Sequence, residues 1–139
     1  MLKAVIDTNI WLSALIGTGP PRKIKDYLQA RLFQAVHSPE LFKELVDVLS
    51  RPKYASKIQA TEAYKLIQLI EEVAILVKLH HIPQVSRDPK DDIFLACAAI
   101  SDSNYLVSGD SDLLDLQTHG RTHIVRPAEF LSILEQHQS

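Results

Sequence analysis

Acidic side chains in this chain follow the ends of short apolar runs. Asp7 comes directly after the apolar run 2–6, and Asp110 comes shortly after the run 105–108. An ionised carboxylate at the end of a buried segment is costly to keep without a cation or several hydrogen-bond donors. Both positions therefore suggest ligands for a divalent metal, and an Asp that caps the following helix is the alternative for Asp7.

A further carboxylate lies inside the apolar stripe of a predicted helix. Glu44 follows Leu41 by three residues and precedes Val48 by four, so the three side chains share one helical face. This spacing turns Glu44 toward the interior, where it is a candidate ligand. A glutamate at the edge of the surface is the alternative.

Three aspartates occur close together at the start of another predicted helix. Asp88 precedes Pro89 and is the predicted N-cap, and Asp91 then occupies the third helical position, where an acid has a capping-box role. Asp92 has no such explanation and lies beside Leu95 on a helix that is apolar on nearly every side. We therefore expect Asp92, rather than Asp91, to be the ligand.

The last acidic pair follows a glycine. Asp110 and Asp112 come after Ser108-Gly109, and glycine permits the sharp exit from a strand that returns side chains over the edge of the sheet. One of the two acids is the predicted N-cap of the turn at residues 113–114. Whether both bind the metal stays open at this point.

Clustered carboxylates have a specific chemical use. Acids within a few ångströms raise one another's pKa values and need a cation to neutralise them. Ligand sets made only of oxygen favour hard ions, so Mg²⁺ or Mn²⁺ is expected. Such ions orient and deprotonate water and stabilise the leaving oxygen in phosphodiester hydrolysis.

The charge distribution fits an anionic substrate. The net charge of -2 conceals a segregation, because residues 88–115 hold seven acids and one base, Lys90. The rest of the chain has 14 bases and 10 acids. A basic rim around an acidic pocket suits an anionic substrate held by metal ions, and ordinary solvated surface charge is the alternative.

The elements that position these acids alternate along the chain. Strands are predicted at residues 2–6, 33–37, 105–108 and 123–126, and helices at 10–16, 22–32, 38–50, 61–77, from 88, and 127–137. This order favours an α/β fold, a three-layer α/β/α sandwich with a mainly parallel central sheet. Its crevice lies at the carboxyl ends of the strands, where Asp7 and Asp110 are predicted to lie.

Composition limits the class of protein. A chain of 139 residues with 46% hydrophobic and 23% charged residues is typical of one soluble globular domain, here residues 1–139. No apolar run approaches the roughly 20 residues that span a bilayer, and the first residues do not resemble a secretory signal. Cys97 is the single cysteine and is read as core. We expect a cytoplasmic protein with no membrane segment.

Taken in order, the acidic motifs resemble those of the PIN-domain ribonucleases, especially the VapC-like toxin components of toxin–antitoxin systems. The motifs that carry the resemblance are Asp7-Thr8-Asn9, Glu44 in the helix opened by Ser38-Pro39-Glu40-Leu41, Arg87-Asp88-Pro89-Lys90-Asp91-Asp92, and Val107-Ser108-Gly109-Asp110-Ser111-Asp112. Asp-Thr-Asn alone is a weak signal, but four groups in the family's order are specific. They cover nearly the whole chain.

The resemblance implies a metal-dependent endoribonuclease that prefers single-stranded RNA. It implies Asp7, Glu44, Asp92 and Asp110 as the catalytic acids and metal ligands, with Asp112 as a further ligand. Thr8, Asn9 and Ser108 match polar positions that orient the carboxylates. It also implies a homodimer and a small antitoxin protein as partner.

Three other classes of protein share parts of this pattern with the ribonucleases. A non-catalytic RNA- or protein-binding module would keep the PIN-like fold and its acids without cleaving RNA. The Asp7-x-Asn9 pattern partly matches the nucleophile motif of haloacid-dehalogenase-like phosphatases, but the second aspartate is missing. A receiver-like phospho-acceptor domain would not require Glu44 within an apolar stripe.

Overall fold

The computed structural model describes residues 1–138, and within them six strands form one mixed sheet. The strands are β1 (Lys3–Ile6), β2 (Gln34–His37), β3 (Ile75–Leu76), β4 (Tyr105–Val107), β5 (Thr118–His119) and β6 (Thr122–Val125). Their spatial order is β3-β2-β1-β4-β6-β5. The first five of these strands in space run parallel, and β5 is antiparallel to its neighbour β6.

Helices cover both faces of this sheet. They are α1 (Thr8–Ile16), α2 (Pro20–Gln29), α3 (Pro39–Leu49), α4 (Pro52–Ala55), α5 (Ala60–Val73), α6 (Pro89–Ser101), α7 (Ser111–Leu114) and α8 (Pro127–Gln138). Because alternate strand residues point to opposite faces, Ala4 and Ile6 pack with α1, α2, α5 and α8, whereas Val5 packs with α6 and α7. The predicted three-layer α/β/α sandwich is confirmed.

The predicted helix starts are confirmed at two places. The Ser38 hydroxyl accepts a hydrogen bond of 3.1 Å from the Leu41 N–H, and Pro39 opens α3. The carboxylate of Asp88 accepts one of 3.0 Å from the Lys90 N–H at the start of α6. Each cap satisfies a backbone donor that has no partner within the helix.

One predicted helix is too long. The helix expected at residues 61–77 corresponds to α5, which ends at Val73, and β3 follows at once. Ala74 is already extended, and Ile75 pairs with Val36 of β2. The run 74–77 is apolar throughout, and such a run fits a helix and a buried strand equally well.

The strand register brings the acidic motifs to one edge of the sheet. Ile6 is paired with Val107, so the residues that follow them, Asp7 and Ser108, leave the sheet side by side. The Asp7 N–H donates to the Val107 carbonyl at 3.0 Å. Residue 7 is therefore held by the sheet itself, at the edge where a parallel sheet opens its crevice.

Cys97 is a core residue, as expected. Its side chain is fully buried, and burial raises the pKa of the thiol to about 12, so it is not a reactive thiolate at neutral pH. None of the helices within residues 1–138 is both long and apolar enough to cross a bilayer.

Candidate metal centre

A cleft of about 510 Å³ opens between α3 and the start of α6, at the carboxyl ends of β1 and β4. We call it the acidic cleft, because among the described residues seven carboxylates and two basic side chains line it. The acids are Asp7, Glu40, Glu44, Asp47, Asp88, Asp91 and Asp110, and the bases are Arg51 and Lys90. This excess of negative charge requires cations before an anionic substrate can enter.

Asp7 combines the two roles that the sequence left as alternatives. It is the N-cap of α1, because its Oδ1 accepts a hydrogen bond of 3.0 Å from the Asn9 N–H. Its Oδ2 accepts one of 2.7 Å from the Ser108 hydroxyl. Burial raises the pKa of Asp7, the bonds from Ser108 and Asn9 lower it, and the charge of Asp110 raises it.

Two hydrogen bonds fix Asp110, one to Ser108 and one from the backbone of α7. Its N–H donates to the Ser108 hydroxyl oxygen at 3.0 Å. Its Oδ1 accepts from the Asp112 N–H at 2.8 Å, so Asp110, not Asp112, is the N-cap of α7. The backbone and side chain of Asp110 are thus fixed beside the end of β4.

Asp91 is the acid whose environment disfavours ionisation most clearly. It is only 4% exposed, and its pKa is raised to about 7, first by burial and then by the charges of Asp110, Asp88 and Asp7. Carboxylate oxygens of Asp91, Asp110 and Asp112 lie within 4.8 Å of one another. Three hard oxygen donors at this separation, one of them shifted toward the protonated form, fit a divalent cation such as Mg²⁺ or Mn²⁺.

The structure reverses the expected placement of Asp91 and Asp92. Asp92 is buried but does not line the acidic cleft, and its Oδ1 accepts hydrogen bonds from the Val85 and Ser86 N–H groups at 3.0 Å and 2.7 Å. Successive side chains on a helix point about 100° apart, so only one of the two adjacent acids faces the cleft. The useful signal was the spacing of Asp88 and Asp91, because residues three apart share a helical face.

Glu44 lines the acidic cleft from α3, as its position in the apolar stripe predicted. It is half-buried, and its Oε2 accepts a hydrogen bond of 3.3 Å from the Thr8 hydroxyl. Thr8 is itself buried, whereas Asn9 is exposed at the cleft wall. Two of the three predicted supporting residues, Thr8 and Ser108, therefore touch a carboxylate with their side chains; Asn9 does so with its backbone.

Sequence reasoning missed several residues of the cleft wall. Glu40 and Asp47 precede and follow Glu44 on the same face of α3, and Arg51 and Tyr54 continue the wall beyond that helix. The intervals of four and three residues from Glu40 to Asp47 follow the helical repeat, which was the available signal.

Comparison with known proteins agrees with this geometry. Residues 3–112 match the PIN domain family. An uncharacterized protein of Methanocaldococcus jannaschii is 27% identical over 145 residues, which cover 97% of this chain and 93% of that protein. PIN domains are generally metal-dependent nucleases, and a cluster of carboxylates suited to a metal is present at the expected edge of the sheet. The match spans most of the chain, and the chain therefore belongs to the PIN domain family.

Proposed function

We propose that this protein is a divalent-metal-dependent endoribonuclease that hydrolyses phosphodiester bonds of single-stranded RNA, with Mg²⁺ or Mn²⁺ as its ion. The observation that carries the proposal is the approach of carboxylate oxygens of Asp91, Asp110 and Asp112 to within 4.8 Å, next to buried Asp7. Membership of the PIN domain family supports a nuclease in general. Oxygen-only donors support a hard ion over zinc.

The ligand set we propose differs from the sequence expectation in one residue. Asp91, Asp110 and Asp112 would hold the ion, Asp7 lies beside Asp110 through Ser108, and Glu44 supplies a further carboxylate from α3. When bound, a divalent ion supplies positive charge that lowers the pKa of an attacking water and stabilises charge that develops on the phosphate. Asp92 serves the site indirectly, because it fixes the segment that leads into α6.

Hydrogen bonds from Thr8, Asn9 and Ser108 hold Asp7 and Glu44 in position. The hydrogen bonds from Ser108 and the Asn9 N–H lower the pKa of Asp7 and so favour its ionised form. Thr8 holds one oxygen of Glu44 in place. Their effect is to orient the acids before an ion or substrate arrives, which limits the reorganisation needed during the reaction.

The resemblance to VapC-like toxins supports a proposal for the cellular role of the protein. On this proposal the protein is the toxin of a toxin–antitoxin pair, acts in the cytoplasm as a homodimer, and is neutralised by a small antitoxin protein. Expression of the unmodified chain in a bacterial host would then arrest growth, whereas Asp91→Asn would not. Equal growth of the two strains would remove the toxin role and leave the nuclease role standing.

The nuclease proposal is tested with labelled single-stranded RNA and purified protein in Mg²⁺, Mn²⁺ or EDTA. Asp7→Asn and Asp91→Asn are compared with Asp115→Asn, because Asp115 is exposed in the same acidic segment and does not line the cleft. We expect metal-dependent cleavage that both cleft variants lose and Asp115→Asn retains. Equal cleavage by all proteins would reveal a contaminating nuclease. Metal-independent RNA binding without cleavage would favour the non-catalytic module instead.

A further inference from the structure

The acidic cleft continues beyond the proposed ion site along α3. Glu40, Glu44 and Asp47 line it from α3, and Arg51 and Tyr54 continue the wall beyond the end of that helix. A helix rises about 1.5 Å per residue, so the part of the wall on α3, from Glu40 to Val48, is about 12 Å long, and Arg51 and Tyr54 extend it further. On the proposed function, the scissile phosphate and the ion would lie at the end near Asp7 and Asp91. The far end is therefore long enough for more of the substrate.

The far end has a different chemical character from the ion site. Val48, Arg51 and Tyr54 line it, and Arg51 is an exposed guanidinium paired with Asp47 at 3.0 Å. Tyr54 is half-buried and packs against the apolar cluster of Leu12, Val48 and Ile58. Phe94, the other aromatic residue on the described cleft wall, is only 3% exposed. Tyr54 is therefore the aromatic ring there with appreciable surface to offer.

Arg51 and Tyr54 project from a single turn of backbone. Arg51 is the N-cap of α4, and its carbonyl accepts a hydrogen bond of 3.0 Å from the Tyr54 N–H. Residues three apart on a helical turn are neighbours. The Lys53 ammonium lies 5.4 Å from the centre of the Tyr54 ring, which adds a second, exposed cation beside the same aromatic surface.

The Arg51 guanidinium and the Tyr54 ring together match the phosphate and the base of one nucleotide in single-stranded RNA. A guanidinium binds a phosphate through paired N–H groups, and an aromatic ring stacks on a base. Stacking requires a base that is not already paired, and the bases of an RNA duplex are not available in this way. A base that stacks on Tyr54 would replace the flexible Lys53 side chain at the ring and leave its ammonium free for the phosphate.

We propose that Arg51 and Tyr54 form a nucleotide subsite of the acidic cleft, in which Tyr54 stacks on an unpaired base and Arg51 binds the neighbouring phosphate. The subsite rests on the proposed function in that RNA is the substrate. It places a base-recognition element at α4, beyond the carboxyl end of α3. It also explains why one basic side chain, Arg51, and one half-exposed aromatic side chain, Tyr54, line a cleft that is otherwise dominated by acids.

The base contact is tested by binding, so that cleavage is not needed for the result. Fluorescence anisotropy in Mg²⁺ compares a short oligouridylate with a fully abasic oligomer that carries the same phosphates, in the Asp7→Asn background. We expect Tyr54→Leu, which keeps apolar packing against Val48, to reduce the preference for the intact RNA about tenfold. Tyr54→Phe retains the preference. Tyr64→Leu, at an exposed tyrosine outside the cleft, also retains it.

The phosphate contact is tested by the salt dependence of the same binding reaction. Removal of one phosphate contact by Arg51→Gln is expected to reduce the slope of log affinity against log salt by about 0.7. The matched control is Arg121→Gln, an exposed arginine that also forms an ion pair, with Asp102 at 3.6 Å, but does not line the cleft. An unchanged slope in Arg51→Gln, or an equal decrease in both variants, would overturn this part.

The outcomes separate the subsite from the nuclease proposal. An unchanged preference for intact RNA in Tyr54→Leu overturns the subsite, even where the unmodified protein cleaves RNA. A lost preference in a protein that never cleaves RNA supports the subsite and rejects the nuclease. Failure of the Asp7→Asn protein to bind either oligomer in Mg²⁺ overturns the subsite. Thermal unfolding of each variant confirms that it is folded.

Discussion

The Ser108 hydroxyl donates a hydrogen bond of 2.7 Å to Asp7 and joins residues 101 positions apart in the chain. The same oxygen accepts a bond of 3.0 Å from the Asp110 N–H. A fully buried serine at the end of β4 therefore sets the relative positions of two acids from different strands. The proposed ion site depends on the alignment of β1 with β4 through this contact.

Ser108→Ala is expected to make activity more sensitive to acid. Because the bond from Ser108 lowers the pKa of Asp7, its loss raises that pKa further and leaves less ionised Asp7 at low pH. As the solution is acidified, we expect kcat/KM of Ser108→Ala to fall at a higher pH than that of wild type, and we expect a loss of about 1 kcal/mol in the free energy of unfolding. Ser111→Ala, at an exposed serine of α7, is the control. Parallel pH profiles for wild type and Ser108→Ala would contradict the prediction.

Alanine variants of Asp91 and Asp92 are expected to change the stability of the metal-free protein in different directions. At pH 8 in EDTA, Asp91→Ala removes a buried charge that Asp110, Asp88 and Asp7 repel, so unfolding occurs at the same or a higher temperature. Asp92→Ala leaves the Val85 and Ser86 N–H groups without their acceptor, at a cost of about 1–3 kcal/mol. Calorimetry of both variants measures the difference. Equal destabilisation would show that the two acids have similar roles.

The contribution of Asp91 to the stability of the metal-free protein is expected to fall as pH rises from about 4 to about 7. The pKa of Asp91 is raised from 3.8 to about 7, so the folded state binds its proton more tightly than the unfolded state. The resulting stabilisation is complete below pH 3.8 and is lost as pH rises to about 7. The difference in unfolding free energy between wild type and Asp91→Asn, followed from pH 4 to pH 8 in EDTA, isolates this contribution. A constant difference would place the Asp91 pKa near its ordinary value.

Metal binding is expected to show the opposite trend with pH. A cation must displace the proton of Asp91, so its apparent affinity rises up to about tenfold per pH unit below the pKa and levels off above it. Isothermal titration with Mn²⁺ between pH 5.5 and pH 8.5 measures this change. Asp91→Asn is expected to bind weakly at every pH. Affinity that does not vary with pH would mean that Asp91 is not a ligand.

The free energy of unfolding is expected to depend on pH through His37 as well, which does not line the acidic cleft. It is 3% exposed, its Nδ1 has no hydrogen-bond partner within residues 1–138, and burial lowers its pKa from 6.5 to about 4. Its contribution to stability is full above pH 6.5 and is lost as pH falls to about 4, on the order of 3 kcal/mol. We expect His37→Leu to reduce the loss of stability between pH 6.5 and pH 4 in urea unfolding, whereas His81→Leu, in an exposed segment, does not.

The features that local patterns determine were predicted from the sequence. The placement of Asp7 and Asp110 near strand ends was predicted, because Asp7 directly follows one short apolar strand and Asp110 comes three residues after the end of another. Glu44 was placed correctly, because its neighbours Leu41 and Val48 define the buried face of α3.

The features that depend on contacts between separate segments of the chain were not predicted. The choice between Asp91 and Asp92 depends on the path of residues 85–86, which return to the side chain of Asp92. The two residues of β3 form a strand because they pair with β2, since their own apolar sequence is equally compatible with a helix. The distances among Asp91, Asp110 and Asp112 are set by the packing of α6 beside β4, which no local pattern encodes.

The sheet ends in very short strands on both sides. The outermost strands, β3 and β5, contain two residues each, and β5 runs antiparallel to its neighbour. Long flat edges are templates for strand addition and aggregation, whereas short edges present few unpaired backbone groups. Addition of a further strand to either edge of the sheet is therefore expected to be weak, and crowded folded molecules have little opportunity to associate edge to edge.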